Sequence, residues 1–341
     1  MSIRTAVAAM PPASFSFVMA TGIVGTAFTT AGYPGVGVAA LILATVGYVL
    51  LVIATIVRAV IAPAVLRRDA RDPGRAFGFF TVVAATGVTA TLAASLGIRW
   101  VLPGALVIEG LLWLLLIYGL LPWIVTHPSV RPLLPTVDGG WFLLVVATQS
   151  LSVLTSTAAG DHHLLSLAAL GLWGVGVVVY LLLMAVVVVR LLSDAEGASD
   201  VAPTAWVLTG ATAISVLAAS RVLTAPTPAL PEAAGAVTVI AIVLWSFGTF
   251  LIPFLVGLGV RDLVRRPAAR RFTVGWWSIV FPIGMYATAT LSFGVAVGIA
   301  EFETIGAIAV WFGGVAWVLV AVFGVVRAVT ASRPKESASA D

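Results

Sequence analysis

Residues 139–190 read GGWFLLVVATQSLSVLTSTAAGDHHLLSLAALGLWGVGVVVYLLLMAVVVVR, and this stretch decides the fold. It holds two apolar segments, 139–159 and 164–190, separated by a short polar turn. Each can cross a hydrocarbon core of about 30 Å as a helix, which takes about 20 residues. The first segment carries six serines and threonines, whereas the second carries one. The stretch therefore predicts a hairpin of two membrane-spanning helices of unequal polarity.

The composition places the whole chain in the same class. Of the 341 residues, 61% are hydrophobic and 9% are charged, and the mean hydropathy is +1.13. A soluble domain of this size cannot bury so much apolar surface. The absence of cysteine excludes a disulfide framework, a thiolate metal site and a cysteine nucleophile. We therefore expect an all-α integral membrane protein.

Apolar runs of similar length recur along the chain, divided by glycine, proline and arginine. Odd-numbered runs begin near residues 12, 77, 139, 203 and 274, so the repeating unit is a helical hairpin. We expect one ten-helix transmembrane domain over residues 1–333 and a short cytoplasmic tail over 334–341. The ten predicted spans are 12–31, 36–60, 77–97, 101–125, 139–159, 164–190, 203–223, 233–260, 274–299 and 304–330.

The arginines predict the orientation in the membrane. With these spans, 16 of the 18 basic residues fall on one side, and only Arg99 and Arg221 fall on the other. By the positive-inside rule, both termini are expected in the cytoplasm and the protein in the cell membrane. The pI near 10.0 then reflects topology. Basic residues interleaved with aromatics on a soluble face are absent, so no nucleic-acid partner is expected.

Hydroxyl groups alternate between odd and even spans. The five odd spans carry 26 serines and threonines, whereas the five even spans carry 8. A hydroxyl group that faces lipid finds no hydrogen-bond partner there, whereas one that faces another helix or water does. This predicts an inner ring of five odd helices around a pore and an outer ring of five even helices. Back-bonding of each hydroxyl to the carbonyl one turn earlier is the alternative, although it gives no reason for the alternation.

A similar three-residue string recurs near the middle of four of the odd spans. Ala20-Thr21-Gly22, Ala85-Thr86-Gly87, Ala147-Thr148-Gln149 and Leu208-Thr209-Gly210 recur at similar depth. On the ring hypothesis these side chains face the pore, although packing alone also selects such residues. The predicted pore-lining residues are Met19, Thr21, Thr86, Thr148, Gln149, Ser152, Thr209, Thr212, Met285, Thr288 and Ser292.

The ninth span differs from the others in a way that indicates a gate. Phe281, Met285, Thr288 and Ser292 share one stripe at helical spacing, and Pro282 interrupts the backbone hydrogen bonds beside the ring. A bulky apolar ring in a hydroxylated lumen is a candidate hydrophobic constriction. A core phenylalanine next to an ordinary proline kink explains the same pattern, and this reading stays open here.

Three stretches of the chain resemble a known family. They are Ser14-Phe15-Ser16-Phe17-Val18-Met19-Ala20-Thr21-Gly22-Ile23-Val24, then Gly140-Trp141-Phe142 with Val146-Ala147-Thr148-Gln149-Ser150, then Trp276-Trp277-Ser278 with Phe281-Pro282. They are similar to the tellurite-resistance and dicarboxylate transporter family, which includes plant slow anion channels, fungal malate permeases and sulphite efflux pumps. The resemblance covers nearly the whole chain, and its malate and sulphite branch looks nearer than the plant channels.

The resemblance implies a ten-helix protomer with an inner ring of five kinked helices. It also implies a homotrimer with one pore per subunit. It implies an occluding phenylalanine in the ninth helix, and this role falls on Phe281. Because the tail after Val329 is only a dozen residues, phosphorylation control through long termini is not expected.

Charged residues within or near the spans are few. Glu109 lies inside the fourth span, where a carboxylate is costly unless it is paired or protonated, so a structural contact and proton coupling are both open. Arg221, near the outer end of the seventh span, either draws anions into the mouth or snorkels to the interface. Asp161-His162-His163 supplies too few ligands for a metal site, so no metal and no cofactor are expected.

The function that follows is a passive or gated conduit for small anions. The candidate substrates are four-carbon dicarboxylates such as malate, sulphite, tellurite and inorganic monoanions. The alternative is a proton-coupled secondary transporter for dicarboxylates, with Glu109 or a histidine as the coupling group. An enzyme is not expected, because His127, His162 and His163 lie in loops and no catalytic set reaches a common depth.

Overall fold

The structure, a computed structural model, describes residues 3–128, 131–193, 203–265 and 272–332. Within these ranges the chain is helical and contains no strand. Ten helices are long and apolar enough to span a membrane, as expected. They are α1 (Pro12–Thr30), α2 (Pro34–Ile61), α3 (Pro73–Ser95), α4 (Arg99–Thr126), α5 (Gly139–Ala159), α6 (His163–Ser193), α7 (Thr204–Leu223), α8 (Pro231–Arg265), α9 (Val274–Val297) and α10 (Ala300–Thr330).

The predicted spans agree with these helices to within a few residues, and the differences have physical causes. Helix α10 begins four residues earlier than predicted, since Glu301 and Glu303 occupy its first turn, where acidic side chains favour a helix start. Helix α8 continues five residues past its predicted end, as far as Arg265. The predicted tail, 334–341, and the loop arginines Arg266, Arg270 and Arg271 lie outside the described residues.

Burial separates the helices into two sets. In the most apolar stretch of each odd-numbered helix, 67% to 89% of the residues are buried, against 6% to 22% in the even-numbered helices. The even helices expose large side chains such as Ile42, Leu115 and Phe250, as a surface in contact with lipid does. We call the odd-numbered helices inner helices and the even-numbered ones outer helices.

The inner helices contact one another in a closed cycle. Helix α1 packs against α3, α3 against α5, α5 against α7, α7 against α9, and α9 again against α1. Each outer helix packs against the inner helix that precedes it in the chain. The architecture is therefore five hairpins in sequence order, with their more polar helices turned toward each other.

Each inner helix has, at or near its start, a short 3-10 turn that ends on an aromatic residue. The five turns occupy equivalent positions, which is the repeat that the sequence period predicts. They are Pro12–Phe15, Phe77–Phe79, Gly139–Phe142, Pro203–Trp206 and Val274–Trp276. We call the membrane face where the inner helices begin the arginine-rich face, and the other face the opposite face.

Two short helices on the arginine-rich face were not predicted, because their charges read as loop. They are Ile3–Ala8 and Pro63–Arg71. We call Pro63–Arg71 the surface helix. Asp69 of the surface helix is buried and forms ion pairs with Arg58 and, at 2.9 Å, with Arg75. Arg58 also donates to the Ala8 carbonyl at 3.2 Å. This buried cluster fixes the surface helix to the ends of α2 and α3.

Candidate functional site

Helix α9 contacts the outer helices with one part of its circumference. The Thr290 hydroxyl accepts a hydrogen bond from Trp245 Nε1 of α8 at 2.9 Å. The backbone of Gly294 lies so close to α10 that a Cβ added there would be 2.7 Å from the Glu303 nitrogen. These contacts identify the face of α9 that is turned away from the cycle.

The same helix contacts its two inner neighbours on either side of Phe281. A Cβ added at Gly284 would be 3.0 Å from Val24 Cγ2 of α1. On the other side, a Cβ added at Gly210 of α7 would be 3.0 Å from Pro282 Cγ and 3.3 Å from the Phe281 ring. Gly210 therefore gives the Phe281 ring the room to lie against α7.

The sector of α9 between these two neighbours faces the centre of the cycle. At 100° per residue it contains Phe281, Met285 and Ser292. Phe281 is 1% exposed and Met285 is fully buried, and no hydrogen-bond partner for the Ser292 hydroxyl lies among the described residues. These three side chains therefore lie between the contacts of α9 with α1 and with α7.

Met19 occupies the corresponding position on α1. Gly22 of this helix faces Val88 of α3, and Ile23 faces Gly284 of α9. The direction of Met19 falls between those of Gly22 and Ile23, so its side chain points toward the centre of the cycle. It is 1% exposed. Two methionines and a phenylalanine therefore stand on this part of the inner face.

Most of the predicted pore hydroxyls have a different role. Near mid-membrane, each outer helix carries one aromatic side chain whose polar atom bonds to the next inner helix along the chain. We call these bonds the aromatic belt. They join Tyr48 to Thr86, Trp113 to Thr148, Trp173 to the Ser215 carbonyl, Trp245 to Thr290 and Trp317 to Thr21, at 2.7 to 3.0 Å.

The aromatic belt satisfies both partners in a medium without water. The Thr148 hydroxyl donates to the Leu144 carbonyl at 2.9 Å and accepts from Trp113 Nε1 at the same distance. Thr86 likewise donates to Val82 and bonds to the Tyr48 hydroxyl. An indole N–H in hydrocarbon is costly unless it is bonded, so a threonine on the neighbouring helix stabilises it. Since the last bond joins α10 to α1, the belt closes the cycle.

Six predicted pore-lining residues therefore require correction. Their polar atoms point to outer helices and not to the centre of the cycle, because those helices offer indole donors and backbone carbonyls that accept a further hydrogen bond. Gln149 Nε2 donates to the Trp173 carbonyl at 3.1 Å, and Ser152 donates to the Ala169 carbonyl at 2.7 Å, both in α6. The corrected residues are Thr21, Thr86, Thr148, Gln149, Ser152 and Thr212, the last of which lies against Gly248 of α8.

The remaining predicted hydroxyls bond locally. Thr209 donates to the Trp206 carbonyl at 2.8 Å. Thr288 donates to the Gly284 carbonyl at 3.0 Å and lies 3.4 Å from the Ile23 carbonyl of α1. The aromatic residues of the belt were not predicted from the sequence. A Tyr or Trp near the middle of every apolar even span is nevertheless a pattern that indicates such bonds.

Glu109 reaches inward from outer helix α4. Its carboxyl lies over Gly87 of α3, where an added Cβ would be 2.5 Å from Oε1, and Ser150 of α5 lies beside it. Glu109 is fully buried and has no ion-pair partner in the part of the chain that the structure describes. The carboxyl therefore sits where one outer and two inner helices meet.

The inner helices carry very little charge. Over their five ranges the sequence contains Arg75, Arg221 and no acidic residue. Arg221 lies near the end of α7 at the opposite face, and its buried Nε has no hydrogen-bond partner among the described residues. Arg75 lies at the arginine-rich face and is paired with Asp69. The end of the cycle at the opposite face therefore carries an arginine without an ion-pair partner among the described residues, whereas the arginine at the other end is paired.

Asp138 precedes the first residue of α5 at the arginine-rich face. It accepts from the Gly140 N–H at 2.9 Å and from the Thr204 hydroxyl at 3.4 Å, which ties the starts of α5 and α7 together. Burial raises the pKa of Asp138, while these hydrogen bonds and Arg190 oppose the rise.

These features define an all-helical integral membrane protein with an inner cycle of helices. Residues 9–325, nearly the whole chain, match the family described as voltage-dependent anion channel. The chain belongs to this family, whose members are membrane channels or transporters and not enzymes.

Individual relatives extend the comparison. The chain is 34% identical over 141 residues to an uncharacterized membrane protein of Mycobacterium tuberculosis, which is 41% of this chain and 72% of the relative. It is 25% identical over 162 residues to an uncharacterized transporter of Methanocaldococcus jannaschii, 45% of each chain.

Proposed function

We propose that the chain conducts small anions through the centre of the inner cycle, along a path closed at Phe281. The observation that carries the proposal is the charge of the inner helices, which contain two arginines and no acidic residue. A path without negative charge and with Arg221 at its opposite-face mouth favours anions over cations. Family membership supports transport of this class.

The proposed substrates are small anions in general: four-carbon dicarboxylates such as malate, sulphite, tellurite and inorganic monoanions. No cluster of charged groups lies on the part of the inner face that the structure describes, so selection by size and hydration fits better than a tight binding site. A negative cell interior favours anion export by about 2.3 kcal/mol per charge per 100 mV.

The gate is proposed on the position of the Phe281 ring. It lies on the inward sector of α9, rests against Gly210, and has Met285 one turn away on the same sector. An anion must keep or replace its hydration shell, and a constriction of apolar side chains offers neither water nor hydrogen-bond donors. Movement of this ring away from the centre would open the path.

Arg221 is proposed to attract anions into the mouth at the opposite face. Its position at the end of an inner helix and its unpartnered Nε support this role. Cytoplasmic termini and a location in the cell membrane are proposed from the positive-inside rule. A homotrimer is proposed from the family resemblance.

A proton-coupled dicarboxylate transporter is the second candidate, and the placement of Glu109 favours it. Burying an ionised carboxylate without a counter-ion is expensive, so a carboxyl at this depth is a natural site for a transported proton. Its contacts with α3 and α5 would let its protonation state affect the packing of the cycle.

Anion flux into liposomes tests the proposal. With purified protein, we expect malate, sulphite, nitrate or chloride to move under an imposed membrane potential without a pH gradient, because no charge transfer other than the anion's is needed. Potassium flux should equal that of empty liposomes. Cation flux, or no anion flux under any potential, would contradict the proposal.

The Glu109→Gln variant distinguishes the two candidates in the same assay. A conduit keeps its potential-driven anion flux in this variant, since glutamine fills the same space over Gly87. A proton-coupled carrier requires a pH gradient in the natural chain and loses that dependence together with its flux in the variant.

A further inference from the structure

The surface helix presents a row of exposed arginines on the arginine-rich face. Arg67, Arg68 and Arg71 are exposed, while Asp69 on the same helix is buried against Arg58 and Arg75. Because its acidic residue is already paired, the helix shows three positive side chains without a neutralising partner. No ion pair of these three arginines occurs within the described residues.

Two adjoining cavities are lined by these three arginines and by a fourth, Arg131. A cavity of about 510 Å³ is lined by Arg71, Trp123, His127 and Arg131, and one of about 600 Å³ by Arg67, Arg68, Arg71 and Asp72. The Arg71 guanidinium stands 5.7 Å from the centroid of the Trp123 ring. Asp72, the one acidic group there, accepts from the Gly74 N–H at 3.0 Å. The site is strongly basic.

An apolar groove lies beside these cavities, between outer helices α2 and α4. Its volume is about 420 Å³, and its walls include Val52 and Ile56 of α2, Leu112 and Leu116 of α4, and Leu66 of the surface helix. The two groups of residues meet at the surface helix, since Leu66 borders the groove and Arg67 and Arg68 border the basic cavity. One nine-residue helix therefore separates an apolar site from a basic one.

We propose that this face binds an anionic phospholipid, with one acyl chain in the groove and its phosphate among Arg67, Arg68, Arg71 and Arg131. A phospholipid is the ligand whose charge and apolar tail are joined over a short distance, as they are on this surface. A transported anion does not need the groove, which opens between two outer helices and is lined at its base by Phe15 of α1 and by Phe79 and Val82 of α3. This inference goes beyond the conduction proposed above.

Native mass spectrometry of the intact chain tests the site, with phosphatidylglycerol and phosphatidylcholine of identical acyl chains as probes. We expect tighter binding of phosphatidylglycerol. The double variant Arg71→Gln/Arg131→Gln should lower that affinity by roughly 25-fold, since each arginine near an anionic surface contributes about 1 kcal/mol. Its binding of phosphatidylcholine, whose cationic choline group offsets the phosphate charge, should fall much less, and the binding that is retained shows that the variant is folded.

The matched control is Arg265→Gln/Arg327→Gln, which removes two exposed charges from the same face outside the site. It should bind phosphatidylglycerol as the natural chain does. Leu112→Trp fills the groove and should weaken the binding of both lipids. Equal affinity for the two lipids, an equal loss in the control variant, unchanged binding in Leu112→Trp, or full displacement by inorganic phosphate would each overturn the proposal.

Discussion

Replacing Phe281 with alanine is expected to raise the anion conductance of the reconstituted protein by about tenfold or more. The ring is buried on the inward sector of α9, against Gly210 of α7. Alanine leaves a space that water and a hydrated anion can enter. A tenfold rise corresponds to a barrier lower by about 1.4 kcal/mol. Planar-bilayer recordings of chloride and malate currents measure the change directly.

Phe293→Ala is the matched control for this prediction. Phe293 lies on the same helix and is fully buried, but its ring packs against Phe302 of outer helix α10 at 5.4 Å between centroids. Its removal opens a cavity of the same size away from the inner face. We expect unchanged conductance in Phe293→Ala. A Phe281→Ala current at or below that of the natural chain would contradict the gate.

Gly306→Ala is expected to lower the free energy of unfolding by about 1–3 kcal/mol, the usual cost of overpacking a tight contact. A Cβ at Gly306 of α10 would be 2.5 Å from the Leu291 nitrogen and 2.8 Å from its Cα in α9. These are backbone atoms, so α9 and α10 must separate to admit the methyl group. Thermal unfolding in detergent measures the loss.

Gly257→Ala makes the same change where there is room for it. Gly257 lies on outer helix α8, and no atom comes within 4 Å of an added Cβ. Alanine is the better helix former by roughly 1 kcal/mol, so this variant should be as stable as the natural chain or more so. If the two variants unfold alike, the close approach of α9 and α10 is wrong.

Much of the fold was predictable from the sequence, because membrane helices are set by length and hydropathy. All ten spans were found, and residues 139–159 match α5 to the residue. The surface helix was not found, since a nine-residue segment with four charged side chains has the composition of a loop. Its helical form depends on the ion pairs of Asp69, which join it to residues distant in the sequence.

The candidate site was predictable only in part. The spacing of Phe281 and Met285 within one helix predicts that both lie on a single face of α9, and the contacts of α9 with α1 and α7 flank that face. Counts of hydroxyl groups identified the inner helices but carried no information on which way each hydroxyl group points from its helix. Thr21 and Thr148 bond to tryptophans of α10 and α4, and such a partner cannot be read from one helix alone.

The corrected placement changes the physical character of the proposed path. The threonines of the aromatic belt hold the inner and outer helices together and are not available to a passing anion. The inner face described by Met19, Phe281 and Met285 is apolar, so the barrier there is one of dehydration. Weak selectivity among small anions is the expected consequence.

Because the chain contains no cysteine, accessibility of single introduced cysteines tests the central claim most directly. In a Phe281→Ala background, Met19→Cys, Met285→Cys, Thr21→Cys and Thr148→Cys would each be treated with a negatively charged, water-soluble thiosulfonate during current recording. We predict modification and block at positions 19 and 285 and no effect at 21 and 148. Block at 21 and 148 with none at 19 and 285 would contradict an anion path along the inner face.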